Sequence, residues 1–289
     1  MKSLIKRNLN LYFSSISNIF LSLFGALISF ILYLFFLKQN MLSQWQNVPD
    51  SKILLDYWLI GGTLTVTAVT TTLNSLGQMV YDRENQTVRD FSITPLSFKQ
   101  IQLSYICSSA IIGLFMQLLV WLILEIYFVI SDGVVFQLVL LPKLILIAFI
   151  SSLVWTVINN FIINGISTSK TMGMVNSIMG TIAGFFAGVY IPIGTTPEIA
   201  QKIMKMTPAP YNAAIYRDVL MNSQMKSTFK NSPTTVQTNF ENLMGIKVTL
   251  GKPLTLIMES YIMLGMALLV LLLLLLESKK IRKAILKRG

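Results

Sequence analysis

A chain of 289 residues that is 54% hydrophobic and only 12% charged, with mean hydropathy +0.66, carries more apolar surface than a soluble fold of this size hides. Its formal net charge of +11 comes from 23 Lys and Arg against 12 Asp and Glu. In so apolar a chain that excess reads as membrane orientation and anionic-lipid contact, and not as nucleic-acid binding.

The apolar runs are continuous rather than alternating, so the expected fold is an all-α integral membrane protein, a single transmembrane domain over residues 1–289 with six transmembrane helices. Residues 1–18 carry Lys2, Lys6 and Arg7 around an apolar stripe of Ile5, Leu9, Tyr12 and Ile16, the pattern of an interfacial amphipathic helix. Residues 19–37 form span one; the run is too long for a signal-peptide core and lacks its small-residue exit. Residues 38–56 read as a polar external loop. Span two, about residues 57–80, holds Gly61, Gly62 and a row of threonines. Threonine hydroxyls bond back to carbonyls one turn earlier, and small residues let helices approach closely. Thr67, Thr71 and Asn74 in this span either line a substrate path or serve packing.

Residues 81–100, YDRENQTVRDFSITPLSFKQ, are the one strongly charged stretch in the first 165 residues. Asp82 is placed to cap a short helix with Glu84 in its first turn, and Thr94-Pro95 to end it. Val88 and Phe91 would share a face. Such a segment is either a solvated connector or a docking helix. Span three covers residues 101–130, the Asp132-Gly133 turn follows, and span four covers residues 138–165. Span five, residues 172–193, carries Gly180, Gly184 and Gly188 at the four-residue spacing of close helix packing. Prolines 192, 197, 208 and 210 then break the chain. Residues 194–253 are expected as an external or re-entrant hairpin with two short helices, 198–206 and 211–221, and a polar loop over 221–252. Span six covers residues 254–276, and Lys279, Lys280, Arg282, Lys283, Lys287 and Arg288 form a basic tail.

With the N-terminus inside, the inward segments hold thirteen Lys and Arg against three in the short outward loops, Lys38, Lys52 and Lys143. The seven in the long fifth loop count little. Both termini are therefore expected in the cytoplasm, with residues 81–100 facing it.

Reaction chemistry is sparse. There is no histidine, one cysteine (Cys107) excludes an intrachain disulfide, and no metal-ligand spacing or catalytic set is present. The nearest string to a P-loop, residues 245–253, has the wrong spacing and a proline in place of Ser/Thr, so this chain is not expected to hydrolyse ATP. Glu125 and Glu259 interrupt apolar runs. Glu125 lies 24 residues into span three, about 36 Å along a helix and so near the outer boundary of a roughly 30 Å core. Glu259 is close to the outer start of span six. Either an outer gate or simple interfacial solvation fits them. Gln117, Asn159, Asn160 and Asn164 read as interhelical hydrogen-bonding groups.

Two strings, YDRENQTVRDFSITPLSFKQIQLSYI (81–106) and GVYIPIGTTPEIAQKIMKMTPAPYNAAIYR (188–217), together with the basic head and the six spans, resemble the membrane subunit of a type-two ATP-binding-cassette exporter. The likeness extends over the whole chain by order and spacing; the stretch 221–252 departs from the family's minimal hairpin. The resemblance implies two such membrane subunits, identical or homologous, in a bacterial plasma membrane. It also implies two copies of a partner ATPase, which binds ATP and Mg while this chain binds no cofactor. It makes Glu84, Arg89, Asp90 and Phe91 the ATPase-coupling candidates and implies export of an amphipathic drug, peptide or lipid-like molecule. A membrane-embedded immunity or sensory protein that only binds is the other reading.

Overall fold

Lipid is as apolar as leucine, so helices in a membrane are fastened by close approach and interhelical hydrogen bonds more than by burial of leucine on leucine. The computed structural model follows that rule. It describes the chain apart from residues 47, 93 and 287–289, and leaves the side chains of residues 89, 92 and 275–286 undescribed. The side chains of Arg89 and of the basic tail, Lys279, Lys280, Arg282, Lys283, Lys287 and Arg288, thus lie outside the described residues.

Among the described residues the regular structure is helical except for one antiparallel pair of two-residue strands, Thr249–Leu250 with Lys252–Pro253. Five helices are long and apolar enough to cross a membrane: Ile16–Gln44, Ser51–Glu84, Phe98–Asp132, Leu138–Asn164 and Leu256–Leu274. The run expected as span five folds as α8 (Ser169–Phe186), which carries Lys170, Asn176 and several hydroxyls and is not among the five.

Helix α1 (Lys2–Phe13) precedes α2 (Ile16–Leu32), which Ser15 caps by accepting from the Asn18 amide. Through a π-helical stretch, Tyr33–Leu37, α2 continues into α3 (Lys38–Gln44), so the expected loop 38–56 is helical for its first seven residues. Residues five apart on an ordinary α-helix stand about 140° apart. The wider π turn lets Tyr33 and Lys38 reach one carboxylate, Asp56, at 2.8 and 2.7 Å.

Helix α4 (Ser51–Glu84) is the central element: its apolar window is 94% buried, against 17–50% for the other four. Its composition explains the placement. A Cβ on Gly61 would lie 3.0 Å from the Arg217 backbone nitrogen, so only glycine admits the neighbouring helix there. Thr67 and Thr72 satisfy their hydroxyls on carbonyls one turn back, at 2.8 and 2.7 Å. Around α4 pack α2, α6 (Phe98–Asp132), α7 (Leu141–Asn164), α8 and α10 (Ala209–Thr228). Three of the four amides expected between helices are there: Asn159 donates to the Val69 carbonyl (2.9 Å), Gln117 donates to Ser152 Oγ (2.7 Å) while accepting from Tyr216 (2.8 Å), and Asn164 accepts from Arg83 (3.4 Å), whereas the buried side-chain oxygen of Asn160 has no partner among the described residues.

The stretch read as a loop, residues 221–252, is largely helical. Helix α10 runs on to Thr228, and α11 (Thr234–Met244) follows. Phe240 and Met244, four apart, bury one face of α11, and Gly245 at φ +63 closes it in a left-handed turn. Short α5 (Thr87–Ser92) lies between α4 and α6; α9 (Glu198–Lys205) precedes α10, and α12 (Leu256–Leu286) is last.

Candidate functional site

At the α5 end of the bundle the charged stretch divides differently from expectation. Asp82 does not cap a loop helix. It lies within α4, is 1% exposed, and accepts two hydrogen bonds from Arg7 (2.8 and 3.0 Å), one from Tyr105 (2.5 Å) and one from Gln78 (2.8 Å). A carboxylate with four donors is at home inside a helix bundle, so α4 continues to Glu84 and the docking segment shrinks to α5. Asp82 thereby joins α1, α4 and α6. Its hydrogen bonds push the Arg7 guanidinium above its usual value.

The coupling candidates are placed as follows. Phe91, half-buried on α5, packs against the buried cluster that includes Leu76, Val80 and Tyr105, and Arg7 sits over its ring at 5.2 Å. Arg7 therefore links α5 to the buried Asp82 network. Glu84 accepts from the Ser169 backbone amide (2.8 Å) and hydroxyl, and so meets the N-terminal dipole of α8. Asp90 is exposed. The side chain of Arg89 is outside the described residues.

At the opposite, α10 end, Glu125 and Glu259 are not solvated at an interface. They are 0% and 1% exposed. Glu125 accepts from the Gln137 backbone amide (3.1 Å) and Glu259 from that of Val248 (2.8 Å). Depth along the helix was the wrong guide here, because the segments outside the spans fold back over the helix ends. Lys38 and Lys52, counted above as loop cations, form a network: Lys38 pairs with Asp56 and Asp132, and Lys52 with Asp132 at 2.5 Å. Two cations and two anions at the ends of three consecutive predicted spans were the available signal for it.

Arg217 was missed as a site. It is 1% exposed and donates to the carbonyls of Trp58, Ala187, Gly188, Met244 and Gly245, with its guanidinium 4.5 Å from the Trp58 ring centre. Burial lowers its pKa to about 9, so it stays charged at neutral pH. Two of those carbonyls lie just past the end of α8 and two at the last residue and C-cap of α11, where helix dipoles favour a cation.

The glycine stripe of α8 is not one packing face. Gly180 lies near Gly25 of α2, whose added Cβ would be 3.6 Å from the Gly180 carbonyl. Gly184 receives the Tyr190 ring, and Gly188 is past the helix in a left-handed turn at φ +64. Of the three polar residues proposed for span two, Thr67 and Thr71 are fully buried. Asn74 alone lines a cavity of about 440 Å³ between α1, α2, α4 and α8.

No protein-family model matches the chain, and no curated protein matches it.

Proposed function

We propose that the protein is the membrane subunit of an ATP-driven exporter of the ATP-binding-cassette kind. In this reading α8 is a sixth span, both termini are cytoplasmic, and a bacterial plasma membrane houses two such subunits. Two copies of a separate ATPase grip α5 from the cytoplasm, and their closure on ATP moves it.

One observation supports this above the others. Helix α5 is small and carries the exposed Asp90, yet Phe91 and Arg7 brace it to the buried Asp82, which α1, α4 and α6 share. A push on α5 is thus delivered to the most buried helix of the bundle. At 34 and 35 residues, α4 and α6 are about 51 and 53 Å long, well beyond a roughly 30 Å hydrocarbon core, which leaves room for α5 to stand in water. A two-state bundle driven through one such lever needs no chemistry of its own.

The test is topological first. A single cysteine at Asn85, in a Cys107→Ser background, is expected to resist a membrane-impermeant maleimide in intact cells and to react once the cells are opened. Labelling in intact cells would defeat the proposal. In detergent, the chain should bring down a Walker-motif ATPase, and Asp90→Lys should release it.

A further inference from the structure

The 440 Å³ cavity at the α5 end has an unusual wall. Five of its lining residues carry amides (Asn8, Asn18, Asn74, Gln78 and Asn176) and none carries a charge. That neutrality is maintained beside an ion pair: Arg7 and Asp82 stand next to Asn8 and one turn from Gln78, but bind each other at 2.8 Å and contribute no atom to the wall. Several amide donors are already committed. Asn74 donates to the Asn18 carbonyl and to Ser22 Oγ, both at 2.9 Å, and Gln78 donates to Asp82 at 2.8 Å. Asn176 donates to Asn74 at 3.3 Å. The amide oxygens of Gln78 and Asn176 receive no protein donor among the described residues. Leu21 and Met172 supply apolar surface beside them.

We propose that this cavity binds an uncharged amphipathic molecule whose polar head donates hydrogen bonds through amide or hydroxyl groups. The free acceptors pair with those donors. A charged head would meet no counter-ion in the wall, and a charge partly desolvated without a partner is disfavoured. The molecule's apolar body lies against Leu21 and Met172. Describing it as a cargo rests on the exporter reading; its binding does not.

Gly173 makes the idea testable. It lines the cavity, and a Cβ built on it meets nothing within 4 Å, so a larger side chain can enter the space without displacing a helix. The full chain in lipid nanodiscs, without any ATPase, is irradiated with three photoreactive probes of equal chain length: an alkyl primary amide, an alkyl sulfonate and a quaternary alkylammonium. Peptide mass spectrometry is expected to find the amide on segments 18–21 or 169–176, with the charged probes about tenfold weaker there, the equivalent of 1.4 kcal/mol. Gly173→Phe should cut amide labelling about tenfold. Asn176→Leu, which gives up one 3.3 Å bond, should cut it several-fold and decides the matter if Gly173→Phe aggregates. Equal labelling by all three probes, or unchanged labelling in a folded variant, overturns the proposal. Capture of the ATPase is scored separately on the same variants and should not change, so the cavity and the exporter reading fail independently.

Discussion

The two ends of the bundle treat charge in opposite ways. At the α10 end, Arg217, Asp56, Glu125 and Glu259 are each at most 1% exposed, and each has at least one backbone or ion-pair partner, although one oxygen of Asp56 and one of Glu125 have none among the described residues. At the α5 end Asp82 is the one charged side chain among the described residues that is buried so fully, while Glu84 and Asp90 are exposed and a polar cavity opens beside them. A charge buried in low dielectric is tolerable only in one geometry. The α10 end is therefore a rigid clasp, and the α5 end is one fixed point surrounded by parts with room to shift. For a bundle worked from one side, that is the arrangement that converts a local push into a tilt.

The largest effect should come from removing the clasp. Arg217→Met leaves the carbonyls after α8 and α11 without their donor, and the cost should approach about 5 kcal/mol, the upper range for a single substitution. Thermal unfolding in detergent should fall steeply, and limited proteolysis should open residues 221–252 before any span. If that segment stays protected, the clasp is not what holds it. Next comes the α5 end, where the ion pair is asymmetric. Arg7 is partly exposed and Asp82 is not. Arg7→Met strands a buried carboxylate and should cost about 3 kcal/mol, whereas Asp82→Asn frees an arginine that can turn to water and should cost about 1–2 kcal/mol. Equal costs would mean that Tyr105 and Gln78 suffice to hold Asp82.

Much of the bundle was readable from residue patterns alone. Continuous apolar runs locate the five long helices, and the threonine-rich span is the one the others surround, because small hydroxylated side chains both permit and reward close approach. What failed did so for tertiary reasons. Asp82 looked like a cap because its partners, Arg7 and Tyr105, lie 75 and 23 residues away. Glu125 and Glu259 looked solvated because local depth says nothing about a segment that folds back. Residues 221–252 looked like loop because α11 signals itself only by Phe240, Met244 and the closing Gly245. Arg217 gave no local sign: its partners are carbonyls, which every residue has. The coupling candidates Glu84 and Phe91 were visible as residues, but their ties to Ser169 and Arg7 were not.

A middle-sized effect should come from the Lys38 network. Lys38→Met leaves Asp56 with Tyr33 alone, whereas Asp132 keeps Lys52. The expected loss is about 2 kcal/mol, and adding Asp56→Asn should recover part of it, since the stranded charge is then gone. An additive double mutant would show that the two side chains do not share their energy.

The smallest expected change in stability is the most informative about function. Asp90 is exposed and on α5, so Asp90→Lys should move stability by no more than about 0.5 kcal/mol. Phe91→Ala is a poorer probe, because the ring packs against a buried apolar cluster under Arg7, and its loss would blur docking with damage to the fold. Asp90→Lys separates the two. Under the proposed reading it abolishes ATPase capture while the melting curve stays in place. Should capture persist with the charge reversed, α5 is a connector, and the asymmetry between the two ends needs an explanation other than a drive from the α5 side.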